Sequence, residues 1–287
     1  MNSVKTYAKI NLTLDITGKL SNGYHSLSSV MQTVSLYDVV EISKNETQKN
    51  ITVRSNAKYI PQDERNHAVM AAKAFFEYTG ISGSININLI KKIPVGAGLA
   101  GGSGNAAGTL CLLNKIYDAG LSNDQLRAIG VKIGADVPFC VEGGTCLAEG
   151  VGEILTPLSP MPDCVLLLAK FGRGASTREM FAAYDQMKSP LHPPADKMID
   201  ALEKGDLNAV AKNLGNSLEA VTARFVPEVL EIKQMMLGGG AMGAVMSGSG
   251  TTVYGIYKSK SVAEETQREL RKRYRNIKLF ICKPVNV

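Results

Sequence analysis

Histidine is scarce in this chain of 287 residues: three, at positions 25, 67 and 192, too few and too scattered for a histidine-based metal site. Cysteine is sparse as well. The five cysteines are an odd number without a Cys-x-x-Cys pair, which points to reduced thiols in a cytoplasmic setting rather than a disulfide framework. Long apolar runs are missing. The longest, Cys164 to Ala169, is far below the ~20 residues that span a bilayer, and the first ten residues carry no apolar signal segment. No Gly-Lys-Ser/Thr closes a Walker loop, and the His-Arg-Asp and Asp-Phe-Gly of protein kinases are absent. Net charge is +6, yet no stripe of basic and aromatic residues accompanies it. The densest basic run, Arg268 to Arg275, falls late in a predicted helix, where the helix dipole favours cations. Neither nucleic acid nor membrane is therefore expected as a partner, whereas a small polyanion suits the charge.

What is present is enough apolar material for sizeable cores, 45% of residues, and a length that favours two domains. The most informative stretch is Pro94-Val95-Gly96-Ala97-Gly98-Leu99-Ala100-Gly101-Gly102-Ser103-Gly104. It follows an alternating strand pattern at residues 84–89 and precedes a helical pattern of Ala106, Ala107, Leu110, Cys111 and Tyr117. Strand, glycine loop, helix start: bare backbone N–H groups can close around an anion there, helped by the partial positive charge of the helix. The dinucleotide reading of Gly96-x-Gly98-x-x-Gly101 requires a second strand ending in an acid about 20 residues on. Here that region opens another helix, at Ser122-Asn123-Asp124-Gln125, a capping box. The alternative is a glycine turn that only lets a helix pack closely on a sheet.

Along the chain, residues 4–16 read as one strand that puts Lys9 and Asn11 on one face. Tyr24 and His25 follow a turn at a strand edge, and residues 66–78 read as a helix stopped by Gly80. Pro138 reads as the breaker ending a helix at Gly134-Ala135-Asp136-Val137-Pro138. A hairpin is expected around Gly150, and Ser159-Pro160-Met161-Pro162 marks a boundary between domains at 1–158 and 159–287. The second half reads strand, several helices, two strands joined by Ser247-Gly248-Ser249-Gly250, a helix from Ser261 capped by Ser-x-x-Glu, and a final strand.

Three stretches in order, Ala8-Lys9-Ile10-Asn11-Leu12 with Gly23-Tyr24-His25, the glycine loop, and Met246-Ser247-Gly248-Ser249-Gly250, resemble the GHMP superfamily of small-molecule kinases. Gly134-Ala135-Asp136-Val137-Pro138 and Ala148-Glu149-Gly150-Val151-Gly152-Glu153 narrow the likeness to kinases of a cytidine-diphosphate sugar alcohol. The resemblance implies an α+β fold of two domains, the first like domain 2 of ribosomal protein S5 and the second ferredoxin-like. It implies transfer of a phosphoryl group from ATP, with Mg²⁺ carried by the nucleotide, to the 2-hydroxyl of the sugar alcohol on the non-mevalonate route to isoprenoids. Lys9 and Asp136 match the catalytic pair. Asn11 matches a residue at the accepting group, and Tyr24, His25 and Phe181, with Thr177 beside them, match a cytosine pocket. Residues 94–104 match the triphosphate cradle, and Asn66 and Lys91 fall where relatives approach the nucleoside. Two departures stand out: Gly104 replaces a serine that relatives place after Ser103, which leaves no metal ligand expected from the loop, and Thr251 replaces a proline. The rival readings are another GHMP kinase, of homoserine or mevalonate type, and a non-catalytic RNA-binding protein of the S5 kind.

Overall fold

Alternating apolar residues become strands and 3.6-periodic ones become helices wherever both can bury one face. The computed structural model describes residues 2–45, 50–172 and 174–286. In chain order the first part runs β1 (Asn2–Asn11), β2 (Thr13–Lys19), β3 (His25–Lys44), β4 (Ile51–Ser55), α1 (His67–Thr79), β5 (Ile85–Ile90), α2 (Gly101–Ile116), α3 (Asn123–Gly130), α4 (Val137–Glu142), β6 (Thr145–Glu149) and β7 (Ile154–Pro157). It continues with β8 (Val165–Lys170), α5 (Thr177–Tyr184), α6 (Ala195–Glu203), α7 (Leu207–Lys212), β9 (Gly215–Asn216), α8 (Glu219–Phe225), α9 (Glu228–Gly238), β10 (Gly243–Met246), β11 (Thr252–Tyr257), α10 (Lys260–Arg273) and β12 (Lys278–Cys282).

The compact units are not consecutive halves of the chain. The first holds β1 as far as Ala8, then Leu36–Ile93 and Ala100–Glu142; the second holds Lys9–Ser35, Pro94–Leu99 and everything from Gly143 on. In the first unit β4 pairs parallel with β5, and β5 antiparallel with the later half of β3, in the register Val39↔Ile90. Ile42, Ile85, Ile87 and Leu89 point from this sheet onto Phe75 of α1 and Ala106, Ala107 and Leu110 of α2. Each of the buried Ile, Leu and Phe side chains contributes about 1.5–3 kcal/mol. Helix α1 starts where Asn66 accepts from the Ala68 N–H and stops at Gly80, with φ of 68°. Helix α3 has the predicted capping box between Ser122 and Gln125.

In the second unit the earlier half of β3 pairs with β2 and with β6, which folds back on β7 as the expected hairpin; β2 also pairs parallel with β9. A separate four-stranded antiparallel sheet has the order β10-β11-β8-β12. Counted as strands two, three, one and four of a β-α-β-β-α-β unit, this is the ferredoxin-like order. Its centre, β8, is buried from end to end, as its unbroken apolar run requires. Leu167, Ala169, Val253 and Tyr257 form its core with Ile232 and Met236 of α9 and Leu270 of α10.

Three local expectations need correction. Residues 4–16 are two strands, because β1 ends at Asn11 and β2 begins at Thr13. Pro138 does not break a helix; it lies in the first turn of α4, where its missing N–H costs nothing. Helix α10 is capped by Ser259, which accepts from Val262 N–H, so Ser261 with Glu264 forms no capping box.

Candidate active site

The glycine stretch does two different jobs. Its first part, Pro94 to Leu99, belongs to the second unit. Gly98 adopts a φ of 72°, and a Cβ there would lie 2.1 Å from the Ser247 carbonyl oxygen, so only glycine fits. Val95 and Gly96 are exposed, which presents their backbone to solvent. Its second part opens α2 in the first unit. The N-cap there is Ala100, held at φ 56°, ψ 27°. An alanine in this region costs about 1–2 kcal/mol, and it has no side-chain acceptor to occupy the free N–H groups of Gly101, Gly102 and Ser103. Those donors and the helix dipole are what an anion needs. Deeper in the helix the alternative reading holds: a Cβ on Gly108 would lie 2.3 Å from Thr6 Cγ2, so this glycine lets α2 lie close on β1.

Lys9, Asn11 and the turn Ser247–Gly250 converge with the loop in the second unit. Lys9 is buried, and its Nζ donates to Asn11 Oδ1 at 2.8 Å. The same oxygen accepts from Gly248 N–H at 3.0 Å, while Asn11 Nδ2 donates to Ser29 Oγ. Ser247 Oγ donates to the Gly98 carbonyl at 2.9 Å, and Lys9 N–H to the Leu99 carbonyl at 3.2 Å. Three stretches separated by up to 237 residues are thus tied by hydrogen bonds around one amide side chain. Ser247 belongs to a stretch that carried the family resemblance, but no individual role for its side chain was legible in the sequence.

The expected cytosine pocket also lies within the second unit. Phe181, on α5 and half-buried, places its ring 4.9 Å from that of His25, tilted by 32°. The partner of Phe181 among the described ring pairs is His25, not Tyr24, which is 65% exposed. Strand alternation explains this: Tyr24 precedes β3 on the solvent side, so its backbone turns with Asn22 Oδ1 while His25 enters the strand. Thr177, the first residue of α5, shares a hydrogen bond of 2.9 Å with Ser249. The Lys19 ammonium and the His25 imidazole both bond Asp185 and hold its carboxyl below the usual carboxylate range.

Three further predicted residues lie in the first unit. Asp136 is half-buried directly before α4. Asn66 spends its side chain on structure: Oδ1 caps α1 and Nδ2 donates to the Pro61 carbonyl at 2.7 Å. Lys91 is buried with its ammonium on Asp38, on Asn105 Oδ1 at 2.7 Å and on the Gly101 carbonyl at 3.2 Å. Burial pushes the Lys91 ammonium down, against the opposing pull of Asp38. Lys91 therefore braces the start of α2 from beneath. Asp38, fully buried, also accepts from the Lys92 and Ile93 N–H groups that lead into the loop. A lone aspartate inside an apolar strand was its only trace in the sequence. His67 lies against Gly102; burial first, and then Lys91, lower its pKa.

A two-part fold carrying this loop, Lys9 and the Ser247–Gly250 turn defines a class, and the family models agree: "GHMP kinases N terminal domain" matches residues 66–144 and "GHMP kinases C terminal" residues 198–276. A 4-diphosphocytidyl-2-C-methyl-D-erythritol kinase of Clostridium beijerinckii is 44% identical over 98% of this chain and 99% of its own length. One from Clostridium perfringens is 43% identical over 99% and 98%. A crystal structure of 4-(cytidine 5'-diphospho)-2C-methyl-D-erythritol kinase superposes with a TM-score of 0.82 at 29% identity, covering all of both chains. The chain belongs to the GHMP kinases and, among them, to the 4-diphosphocytidyl-2-C-methyl-D-erythritol kinase family.

Proposed function

We propose that the chain transfers the γ-phosphoryl group of ATP to the 2-hydroxyl of 4-diphosphocytidyl-2-C-methyl-D-erythritol, on the non-mevalonate route to isoprenoids and in the cytoplasm. The observation that carries the choice of substrate over other GHMP kinases is the His25–Phe181 ring pair. A flat base gains ~1–3 kcal/mol from such stacking, and a small acyclic alcohol would gain nothing.

Phosphoryl transfer asks mainly for positioning and charge. The loop of residues 94–104 presents backbone N–H groups, those of Gly101, Gly102 and Ser103 foremost, to the phosphates, with Gly98 and Ala100 setting the path and Lys91 and Asp38 bracing it. Asn66 starts α1 and so sets the edge of the nucleoside end. Lys9 supplies a compact cation for the phosphoryl oxygens, and Asn11 orients it by accepting a hydrogen bond from its ammonium. Asp136 accepts the proton of the attacking hydroxyl. Tyr24, His25, Phe181 and Thr177 serve the cytidine end. Mg²⁺ travels with ATP on its phosphate oxygens, as its preference for water and phosphate ligands favours. The division into residues 1–158 and 159–287 is supported by the two family models falling on either side of Ser159–Pro162. Nucleic acid has no part in this reading, and no helix among the described residues is long and apolar enough to cross a membrane.

The test is ADP release with the diphosphocytidyl substrate set against homoserine, mevalonate and galactose. Turnover of the first alone is expected. Preference for any of the others overturns the reading, and salt-dependent binding of RNA without turnover would favour the non-catalytic rival.

A further inference from the structure

Two side chains outside every motif, Lys19 and Asp185, meet His25 in the second unit. Asp185 closes α5 as its C-cap, with its N–H on the Phe181 carbonyl. Its Oδ1 lies 2.6 Å from His25 Nε2, and its Oδ2 accepts from Lys19 Nζ. One turn earlier in the same helix, the Phe181 ring rests 4.9 Å from the imidazole. The His25 side chain is only 9% exposed. One helical turn therefore holds the imidazole by its edge and by its face.

We propose that Asp185 is a positioning residue for base selection: by accepting from His25 Nε2–H it fixes the tautomer in which Nδ1 is an acceptor, and that acceptor reads the exocyclic amine of cytosine. The assignment rests on the kinase reading above. A carboxylate only accepts, so the single proton of a neutral imidazole must sit on Nε2. Cytosine presents an amino donor where the uracil ring, like thymine, presents a carbonyl acceptor. A lone pair set against that carbonyl would be left unpaired, and a site built to hydrogen-bond one group rejects the analogue lacking it. Lys19, on the other carboxylate oxygen, keeps Asp185 ionised and aimed.

Nitrogen-15 NMR of the histidines at about pH 8, above the ordinary histidine range, reads the tautomer without any substrate. His67→Gln and His192→Gln identify the His25 signals. Nδ1 of His25 should show the shift of an unprotonated nitrogen. In Asp185→Ala the tautomers should mix. KM for the cytidine substrate should rise about tenfold and the preference for it over its uridine analogue should fall by a similar factor. KM for ATP should not move, and Asp185→Asn, which keeps a carbonyl acceptor, should restore most of the loss. A protonated Nδ1 in the wild type overturns the assignment alone, even with turnover intact; so does an Asp185→Ala variant with unchanged tautomer and preference. A wild type that turns over neither analogue, with Nδ1 unprotonated, overturns the kinase reading and with it the base-selecting role.

Discussion

Asp38 and Lys91 are a buried ion pair whose partners are completed by Asn105 and by two backbone N–H groups. Such a pair adds little over an apolar replacement of both members, but removing one strands the other. Lys91→Met should cost about 3–5 kcal/mol, read as a drop in urea midpoint, with ATP binding weakened in whatever fraction still folds. Asp136 and Lys9 carry different expectations. Asp136→Asn keeps the shape and removes the base, so kcat should fall by ~10²–10⁴ while calorimetric affinities for both substrates change far less. A variant with near-normal kcat would assign proton removal to another group. Lys170 offers a pH test. Burial, and next the charge of Lys278, push its ammonium from 10.5 to about 8, while its Nζ donates to the Phe171 and Gly172 carbonyls. The folded chain thus loses this proton before the unfolded chain does. Stability owed to Lys170 should rise between about pH 8 and 10.5 and be flat outside that window. Stability curves of the wild type and Lys170→Met should converge or cross in that direction as pH rises; a wild type that loses ground to the variant across this range would contradict it.

At the scale of elements, the loop and the turn facing it are shaped by close backbone approach. Gly98→Ala combines an unfavourable φ with a Cβ pressed on the Ser247 carbonyl. Overpacking costs about 1–3 kcal/mol and the φ about 1–2 more. We expect a lower Tm together with a raised KM for ATP; a stable variant with unaltered KM would remove Gly98 from the cradle. Helix α1 gives a milder case. Asn66→Ala removes its cap and frees the Pro61 carbonyl, at a cost of about 1–2 kcal/mol. If Asn66 also touched nucleotide, KM for ATP would rise in proportion beyond that loss, so equilibrium unfolding and KM measured on the same variant separate the two roles.

For the whole molecule, binding is itself a stabiliser. ATP or the diphosphocytidyl substrate at 100 times its Kd should add about 2.7 kcal/mol. For a chain above 250 residues that amounts to a Tm rise of roughly 5 °C. Homoserine at the same concentration should leave Tm in place.

Local chemistry was legible in the linear sequence wherever the interaction is short in range. The Gly80 stop, the Ser122 capping box and the glycine loop all depend on neighbours within a few residues, as do the strand and helix periods that assemble each core. The motifs that carry family membership are likewise contiguous strings. What the linear order did not contain is which distant groups satisfy one another. Asp38 against Lys91, Ser247 against Gly98, Asp185 against His25, and the choice of His25 over Tyr24 as the partner of Phe181 join residues 53 to 160 positions apart. Those pairings exist only because buried donors, acceptors and charges must find partners once water is excluded, and the tertiary structure alone decides which partner is within reach.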